Sequence, residues 1–530
     1  MKHTRIAENI KNGQTYLGIE LGSTRIKAVL TGTDNAPIAS GSFDWENSLI
    51  DGVWTYGLDE IHAGVRACYA DLRDTVQKEY GVTLTGVAAI GVSAMMHGYM
   101  AFDKNDTLLT PFRTWRNTMT GAAAAELSAL FQFNIPERWS IAHLYHAVLG
   151  GEAHVKDLAF LTTLAGYIHY LLTGEKVLGV GDAGGMFPID SKTGDYDSGM
   201  LEKFNNIPAV KAYTWRLREL LPKVLTAGDN AGYLTAAGAA LLDETGSLQA
   251  GIPLCPPEGD AGTGMTATDS VAVHTGNVSA GTSVFAMAVL EKELRGWYPE
   301  IDMVTTPDGR PVAMVHCNNC SGDIDGWIKL FGETVALFGV DVKKSELYDT
   351  LLRAAFTGDD DCGGLMNFNY LSGEGITKLP AGKPMFIRTQ NSEFSIGNFM
   401  KTQLMSALAT LRIGMDILYR EGVTLDCIAG HGGYFKTKET GTRYMAAALK
   451  IPVKVMSTAG EGGPWGMAVL AGYSVAKQAG ESLAAYLEKN VFASAQTETV
   501  LPAENDVACF ERFLSRYKAY LPAEAAAASI

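Results

Sequence analysis

The stretch YLGIELGSTRIKAVL (residues 16–30) has two apolar runs on either side of a Gly-Ser-Thr turn. Because glycine adopts positive φ without steric cost, this pattern predicts a β-hairpin. Two charged residues, Glu20 and Lys27, lie within the apolar runs. The backbone N–H groups of such a turn can also hold a phosphate. The stretch alone does not decide between an ordinary hairpin and a phosphate-binding one.

The composition is that of a globular protein and disfavours several classes of partner. The chain has 530 residues, is 47% hydrophobic and 19% charged, and has a formal net charge of −15. This length predicts two or more domains. The negative charge disfavours nucleic acid and anionic membranes as partners. No apolar run has the length of a membrane span, and the first residues lack the apolar segment of a signal peptide, so we expect a cytoplasmic protein.

The seven cysteines are spread over the whole chain. An odd and scattered set disfavours a disulfide framework. Cys317 and Cys320 have CxxC spacing next to His316, but a zinc site needs about four ligands and no second CxxC or HxxxH pair is present. Two partly buried thiols in a turn are the simpler interpretation, with a metal or redox pair as the alternative.

The first hairpin has a counterpart about half a chain later. GSTRIKAVL (22–30) aligns with GTSVFAMAV (281–289), and both begin with glycine and two hydroxyl residues. Two similar domains would place these turns on opposite sides of a cleft, where they could enclose the β- and γ-phosphates of a nucleotide. IAGHGG (428–433) is a predicted strand that ends in glycines, and glycine lets a backbone lie close to an adenosine.

Hydrophobic periodicity predicts helices over 59–81, 155–173 and 398–422, and a strand over 86–94. Strands that alternate with helices predict an α/β architecture. The glycine-rich segment just before residue 270 predicts a boundary between two domains, 1–270 and 271–530.

In this order the segments resemble those of the FGGY carbohydrate kinases, in the actin/hexokinase/Hsp70 ATPase superfamily. GVSAMMHGYMAFDKNDTLLTPFRTWRN (91–117) is similar to the sugar-binding stretch of pentulose kinases, and EGDAGTGMTAT (258–268) to the segment with the catalytic Asp. LTTLAGYIHYLLTGEKVLGVGDAGGMFPID (161–190) is similar to the family's helix–LTGE–strand–D-A-S-G segment. The resemblance covers about residues 16–480.

The resemblance implies a fold and an activity. The fold would be two actin-like (ribonuclease H-like) α/β domains flanking a deep cleft for ATP and sugar. The activity would be ATP-dependent and Mg²⁺-assisted phosphorylation of a ketopentose, D-xylulose or L-ribulose, to its 5-phosphate. The partner would be a small-molecule sugar rather than nucleic acid or membrane, and the family also suggests a homodimer.

The resemblance also implies roles for individual residues. Asp260 would be the catalytic base and contact the sugar, with Asp269 as a competing carboxylate. Glu20 stands where the family usually has Asp and would act on Mg²⁺. The first phosphate turn would be formed by Gly22, Ser23, Thr24 and Lys27, and the second by Gly281, Thr282 and Ser283. The adenosine would contact Gly432 and Gly433, and the sugar would contact Met96, His97 and Trp115.

Departures from the family pattern leave the sugar and the adenine contacts open. Residues 116–119 read Arg-Asn-Thr-Met, whereas xylulokinases have Asn-Asp-x-Arg after the Trp. Tyr434 and Phe435 are bulkier than the residues that usually follow the two glycines. The alternatives are a kinase for another sugar or polyol of the family, a non-catalytic sugar-sensing ATPase, and an actin-like ATPase that acts on proteins.

Overall fold

The computed structural model describes residues 2–437, 439–456 and 462–530. Its strands form two large sheets and five small two-stranded ones. The strands are β1 (Thr15–Leu21), β2 (Arg25–Gly32), β3 (Pro37–Asp44), β4 (Ser48–Ile50), β5 (Val53–Thr55), β6 (Ala89–Ala94), β7 (Met100–Phe102), β8 (Phe160–Thr162), β9 (Val177–Gly179), β10 (Ile189–Asp190), β11 (Asp195–Tyr196), β12 (Lys223–Leu225), β13 (Glu258–Gly259), β14 (Gly276–Ala280), β15 (Val284–Val289), β16 (Ile301–Thr305), β17 (Pro311–Cys317), β18 (Met366–Phe368), β19 (Met385–Ile387), β20 (Ile428–His431), β21 (Val453–Met456) and β22 (Thr497–Val500).

The helices pack around the two large sheets. They are α1 (Lys2–Lys11), α2 (Leu58–Tyr80), α3 (Gly121–Phe131), α4 (Ser140–Leu149), α5 (Leu164–Thr173), α6 (Val180–Ala183), α7 (Ser198–Asn205), α8 (Pro208–Lys211), α9 (Leu217–Leu220), α10 (Ala236–Leu242), α11 (Asp260–Ala267), α12 (Gly322–Leu337), α13 (Lys344–Ala354), α14 (Ile396–Arg420), α15 (Thr440–Leu449), α16 (Gly462–Ala476), α17 (Leu483–Tyr486) and α18 (Glu504–Ala528). Among the described residues, no helix is both long and apolar enough to span a membrane.

The first large sheet has the strand order β13-β6-β1-β2-β3 and is built on the hairpin of residues 16–30. β1 and β2 pair antiparallel with Glu20 opposite Lys27, and β6 joins β1 in parallel. Leu17, Ile19 and Leu21 alternate along β1 and are fully buried, because one face of the sheet packs against α2. The hairpin prediction is confirmed.

The second large sheet has the order β16-β17-β15-β14-β20-β21-β22 and repeats this plan. β14 and β15 form the second antiparallel hairpin, and β20 joins β14 in parallel with Ser279 opposite His431. The long helix α14 lies behind the sheet and is buried along nearly its whole length. Two sheets, each with a hairpin and a parallel neighbour, confirm the expected α/β architecture.

Helix α16 comes from the C-terminal half of the chain but packs on the first sheet. A Cβ on Gly18 of β1 would lie 2.1 Å from the Pro464 carbonyl oxygen, and one on Gly466 would lie 2.2 Å from the Thr263 carbonyl oxygen. Glycine at both positions therefore allows backbone to touch backbone. α16 connects the first sheet to the second half of the chain, and the division at residue 270 stays a prediction.

The helix predicted over 155–173 is wrong in its first half. Residues 153–157 form a 3₁₀ turn, β8 pairs with β7, and the α-helix begins only at Leu164. Thr163 is its N-cap, since its side chain accepts a hydrogen bond from the Gly166 amide. Strand pairing with a distant segment and a local cap therefore outweigh the helical periodicity of this stretch.

Candidate active site

The first turn is supported from behind by two aromatic side chains. The Trp45 indole N–H donates to the Gly22 carbonyl at 2.7 Å, and the Tyr56 hydroxyl donates to the Ser23 carbonyl at 2.6 Å. The two rings stack with centroids 4.2 Å apart. With both carbonyls engaged on the inner side, Thr24 stays exposed on the outer side, as does Lys27 on the strand that follows. This arrangement leaves donor groups of the turn free for a ligand.

The second turn is supported by the segment that contains the CxxC pair. The Ser321 amide and hydroxyl both donate to the Gly281 carbonyl, and the Cys320 amide donates to the Thr282 carbonyl at 2.8 Å. Cys317 and Cys320 are buried, and every cysteine is a free thiol. Within the described residues, no group of three or more His, Cys, Asp or Glu side chains could hold a metal. This segment therefore supports the turn through its backbone, and the two thiols are fully buried rather than partly buried as predicted.

Gly432 and Gly433 lie next to the second turn, because β20 and β14 are neighbours. Gly432 has φ of 99°, and a Cβ there would lie 2.4 Å from the Ala280 carbonyl oxygen. Apart from its two chain neighbours, no described residue lies within 4 Å of the position a Cβ would take on Gly433. Both glycines are exposed. The structure therefore brings the predicted adenosine glycines and the predicted second phosphate turn to the same end of one sheet.

Asp260 is the first residue of α11 and is exposed to solvent. Its Oδ1 accepts a hydrogen bond of 3.2 Å from the Met96 amide. The surrounding protein desolvates the carboxylate and raises its pKa, while this hydrogen bond acts in the opposite direction. Asp260 therefore combines access to a ligand with a raised affinity for a proton.

The competing carboxylate, Asp269, has a different environment. Its Oδ2 accepts a hydrogen bond of 3.1 Å from Lys454 Nζ on β21. This contact engages one of the two carboxylate oxygens with a cation. Asp269 is therefore a poorer candidate for a general base than Asp260.

Met96 and His97 follow β6 and are buried next to Asp260. His97 Nδ1 lies 3.2 Å from the Gly185 carbonyl oxygen, which can only accept, so Nδ1 carries the proton. The ring stacks on Trp139 with centroids 6.2 Å apart. Burial lowers the pKa of His97 to about 3, so the imidazole is neutral. Its Nε2 can accept a hydrogen bond from a hydroxyl group.

Trp115 lies beside the first turn. Its side chain is exposed, and the indole N–H donates to the Ser23 hydroxyl at 3.1 Å. A predicted sugar residue and a predicted phosphate residue are therefore in direct contact. The exposed ring face can pack against the C–H groups of a sugar.

Glu20 is the second carboxylate near Asp260. The Thr263 hydroxyl donates to its Oε2 at 3.4 Å. Burial and then the negative charge of Asp260 raise the pKa of Glu20 to about 7, whereas Lys27 acts in the opposite direction. A Cβ on Gly463 would lie 1.6 Å from Glu20 Oε2. The absence of a Cβ at Gly463 therefore makes room for the Glu20 carboxylate at the start of α16.

Three charged residues near Asp260 were not predicted from the sequence. Arg138 pairs with Asp302 on β16, and its positive charge lowers the pKa of Asp260. Asp182 and Glu258 are buried on the inner side of the turn that presents Asp260. Asp182 lies in the segment 161–190 that resembles the family, and Glu258 lies two residues before Asp260. The sequence offers no signal that would assign any of them a role.

Comparison with known proteins agrees with this geometry. The model of the FGGY family of carbohydrate kinases, N-terminal domain, matches residues 15–145, and the model of the C-terminal domain matches residues 276–475. The chain is 23% identical over 387 residues to the xylulose kinase of Haemophilus influenzae, covering 66% of this chain and 68% of that protein.

Two solved structures of similar fold cover nearly the whole chain. A ligand-bound xylulose kinase from Lactobacillus acidophilus has a TM-score of 0.79 at 16% identity, and a gluconate kinase from the same organism has a TM-score of 0.77 at 17% identity. Each comparison covers 97% of this chain and 99% of the other. The N-terminal and C-terminal family models together match more than half of the residues of this chain. The chain therefore belongs to the FGGY family of carbohydrate kinases and is a sugar kinase with the two actin-like domains of that family.

Proposed function

We propose that this kinase transfers the γ-phosphoryl group of ATP to the 5-hydroxyl of a ketopentose, D-xylulose or L-ribulose. The observation that supports this most directly is Asp260, a solvent-exposed carboxylate next to Met96 and His97. A sugar hydroxyl needs such a base within hydrogen-bond reach to become a nucleophile. The relatives named above include xylulose kinases, and the departure at residues 116–119 keeps L-ribulose in consideration.

In the proposed reaction Asp260 accepts the proton of the attacking hydroxyl while the sugar oxygen forms its bond to the γ-phosphorus. The bond between that phosphorus and the bridging oxygen of ADP breaks. His97 Nε2 accepts a hydrogen bond from another sugar hydroxyl, and Trp115 covers an apolar face of the sugar. In this reaction the backbone amides of the turns at Ser23 and Thr282 would face the spreading negative charge of the phosphoryl group.

The donor groups fit Mg²⁺ bound together with ATP. Mg²⁺ usually binds through one or two carboxylates plus phosphate oxygens and water. Glu20 is one such carboxylate, and it lies between Lys27 and Asp260. When bound, the metal would neutralise charge on the phosphates. The two domains, 1–270 and 271–530 in our proposal, would then close on the substrates and exclude water, which otherwise accepts the phosphoryl group.

The role of Glu20 can be tested by changing only its charge. In Glu20→Gln we expect the Mg²⁺ concentration for half-maximal rate to rise at least about tenfold, because a neutral amide is a weaker ligand for a hard cation. Mg²⁺ should also raise the melting temperature of the ADP complex less in this variant than in wild type. Glu20→Asp restores the residue usual in the family and should keep Mg²⁺ use near wild type. Equal Mg²⁺ dependence in wild type and Glu20→Gln would exclude Glu20 as the metal residue.

The substrate is tested by ADP release with Mg·ATP and a panel of sugars. The panel contains D-xylulose, L-ribulose, D-ribulose, L-xylulose, gluconate and glycerol. Strong stimulation by one ketopentose would confirm the proposal and name the substrate. Stimulation by gluconate or glycerol alone would replace the ketopentose with another substrate of the family. ATP turnover that no compound stimulates would contradict the proposed reaction.

A further inference from the structure

Two buried carboxyl groups, Asp182 on α6 and Glu258 on β13, lie on the inner side of the turn that presents Asp260. Each residue is 1% exposed. Thr163 donates to Asp182 Oδ2 at 2.6 Å, and the Gly181 amide donates to Glu258 Oε1 at 3.3 Å. Asp182 Oδ1 and Glu258 Oε2 have no hydrogen-bond partner among the described residues. A buried carboxylate oxygen without a partner is costly, so these groups need an explanation.

The backbone around Glu258 is shaped to hold its side chain. A Cβ on Gly179 would lie 2.2 Å from Glu258 Oε1, and a Cβ on Gly181 would lie 2.3 Å from Oε2. A third glycine, Gly262 in the first turn of α11, would place a Cβ 3.1 Å from Oε2. Three glycines from two segments therefore surround one carboxyl group. We call this enclosure, formed by Gly179, Gly181 and Gly262, the glycine cage.

The same cluster contacts the turn of Asp260 directly. A Cβ on Gly259 would lie 3.3 Å from Asp182 Oδ1 and 2.1 Å from Met96 Cγ. Met96 is the residue whose amide donates to Asp260. Gly259, which joins Glu258 to Asp260, is therefore packed against both Asp182 and the residue that holds the Asp260 carboxylate.

The charges around the cluster are mostly negative. Glu258 faces Asp182 and the Cys255 thiol, and Asp182 faces Asp260 and the Tyr196 hydroxyl. Among the described elements packed against α6, β16 contributes Asp302, which is paired with Arg138, and β12 contributes Lys223, which is exposed to solvent. Burial and then Asp182 raise the pKa of Glu258 to about 8.

We propose that Glu258 is a positioning residue for Asp260 that stays protonated near neutral pH and fills the glycine cage. Its ionisation releases a proton to solvent and places a second charge next to Asp182. The repulsion then displaces the Gly259–Asp260 turn, and phosphoryl transfer falls. This inference rests on the proposed role of Asp260 as the base.

The variant Glu258→Gln tests the inference because glutamine has the shape of the protonated acid and cannot ionise. In wild type, kcat/KM for the sugar should fall above about pH 8, where Glu258 ionises. In Glu258→Gln the activity at pH 7 should stay within about threefold of wild type, and this alkaline fall should be lost. The same alkaline fall in both proteins would overturn the inference.

Thermal unfolding gives a readout that needs no substrate. An unfolded glutamate ionises near pH 4.5, whereas Glu258 in the folded chain ionises near pH 8. Wild type should therefore lose stability between these two values, because the unfolded state gives up a proton that the folded state keeps. The melting temperature of Glu258→Gln minus that of wild type should rise from pH 5 to pH 8. A constant difference would overturn the inference even if the proposed sugar reaction proves wrong.

Two further variants keep the test decisive. Asp182→Asn removes the charge that opposes the ionisation of Glu258, so the alkaline fall in kcat/KM should move to lower pH. If Glu258→Gln does not fold, an alkaline fall that stays at the same pH in Asp182→Asn would overturn the inference. Glu524→Gln is the matched control, since Glu524 on α18 is also fully buried and its Oε2 has no hydrogen-bond partner among the described residues. This control should keep the pH profile of wild type. A change equal to that of Glu258→Gln would assign the effect to buried glutamates in general.

Discussion

Asp260→Asn should lower kcat for sugar phosphorylation by about a thousandfold while ATP still binds. The amide has nearly the same shape, and its oxygen can still accept the hydrogen bond from the Met96 amide. It cannot accept the proton of the sugar hydroxyl. Calorimetry with ATP and steady-state kinetics on the same preparation measure the two properties separately. Turnover within tenfold of wild type would exclude Asp260 as the base.

The stability of this variant separates a catalytic defect from a folding defect. Asp260 raises the pKa of Glu20 and of Asp182, which means that Asp260 repels each of these two carboxylates in the folded chain. Because the folded state raises the pKa of Asp260 as well, its charge costs stability at neutral pH, above the pKa of the unfolded side chain. The melting temperature of Asp260→Asn at pH 7 should therefore equal or exceed that of wild type.

Asp269→Asn is the matched control for this loss of activity. Asp269 lies nine residues further along the same segment, where its carboxylate is paired with Lys454. The change should keep kcat within a few-fold of wild type and lower stability by the small worth of a partly exposed ion pair. An equal loss of activity in both variants would show that this segment tolerates no change of charge.

The two hairpins could be predicted because their signal is local. Alternating apolar residues and a glycine turn determine a hairpin within about 15 residues, and repetition half a chain later indicated two related domains. The helix over 155–173 could not be predicted correctly. Its first part pairs with β7, some 60 residues earlier in the chain, and periodicity within the segment contains no information on that partner.

The candidate site could be predicted only where a residue lies in a recognisable segment. Asp260, His97 and Trp115 were predicted in this way, but the contact of Trp115 with Ser23 depends on the packing of two loops. Gly463 and Glu20 are far apart in sequence, and only the fold shows that one makes room for the other. Buried carboxyl groups such as Glu258 look like ordinary surface residues in a sequence, since burial is a property of the tertiary structure.

The second large effect concerns two adjacent glycines with different surroundings. Gly432→Ala should destabilise the protein by about 1–3 kcal/mol, because a residue with a side chain is strained at φ of 99°. The added Cβ would also lie 2.4 Å from the Ala280 carbonyl oxygen, at the start of the second turn. Since a displacement of about 1 Å at a phosphate-binding group can cost up to about a hundredfold in rate, we expect KM for ATP to rise at least tenfold.

Gly433→Ala is the control that the structure provides beside it. Apart from the two chain neighbours, its new methyl group would meet no described residue within 4 Å, and its backbone does not have positive φ. We expect stability within about 0.5 kcal/mol of wild type, as for a surface substitution, and KM for ATP within a few-fold. Thermal unfolding and ATP titration of both variants measure the contrast. Equal effects at the two positions would mean that adenosine contacts both glycines alike, whereas a large effect at Gly432 alone would show that the contact of β20 with β14 positions the second turn for ATP.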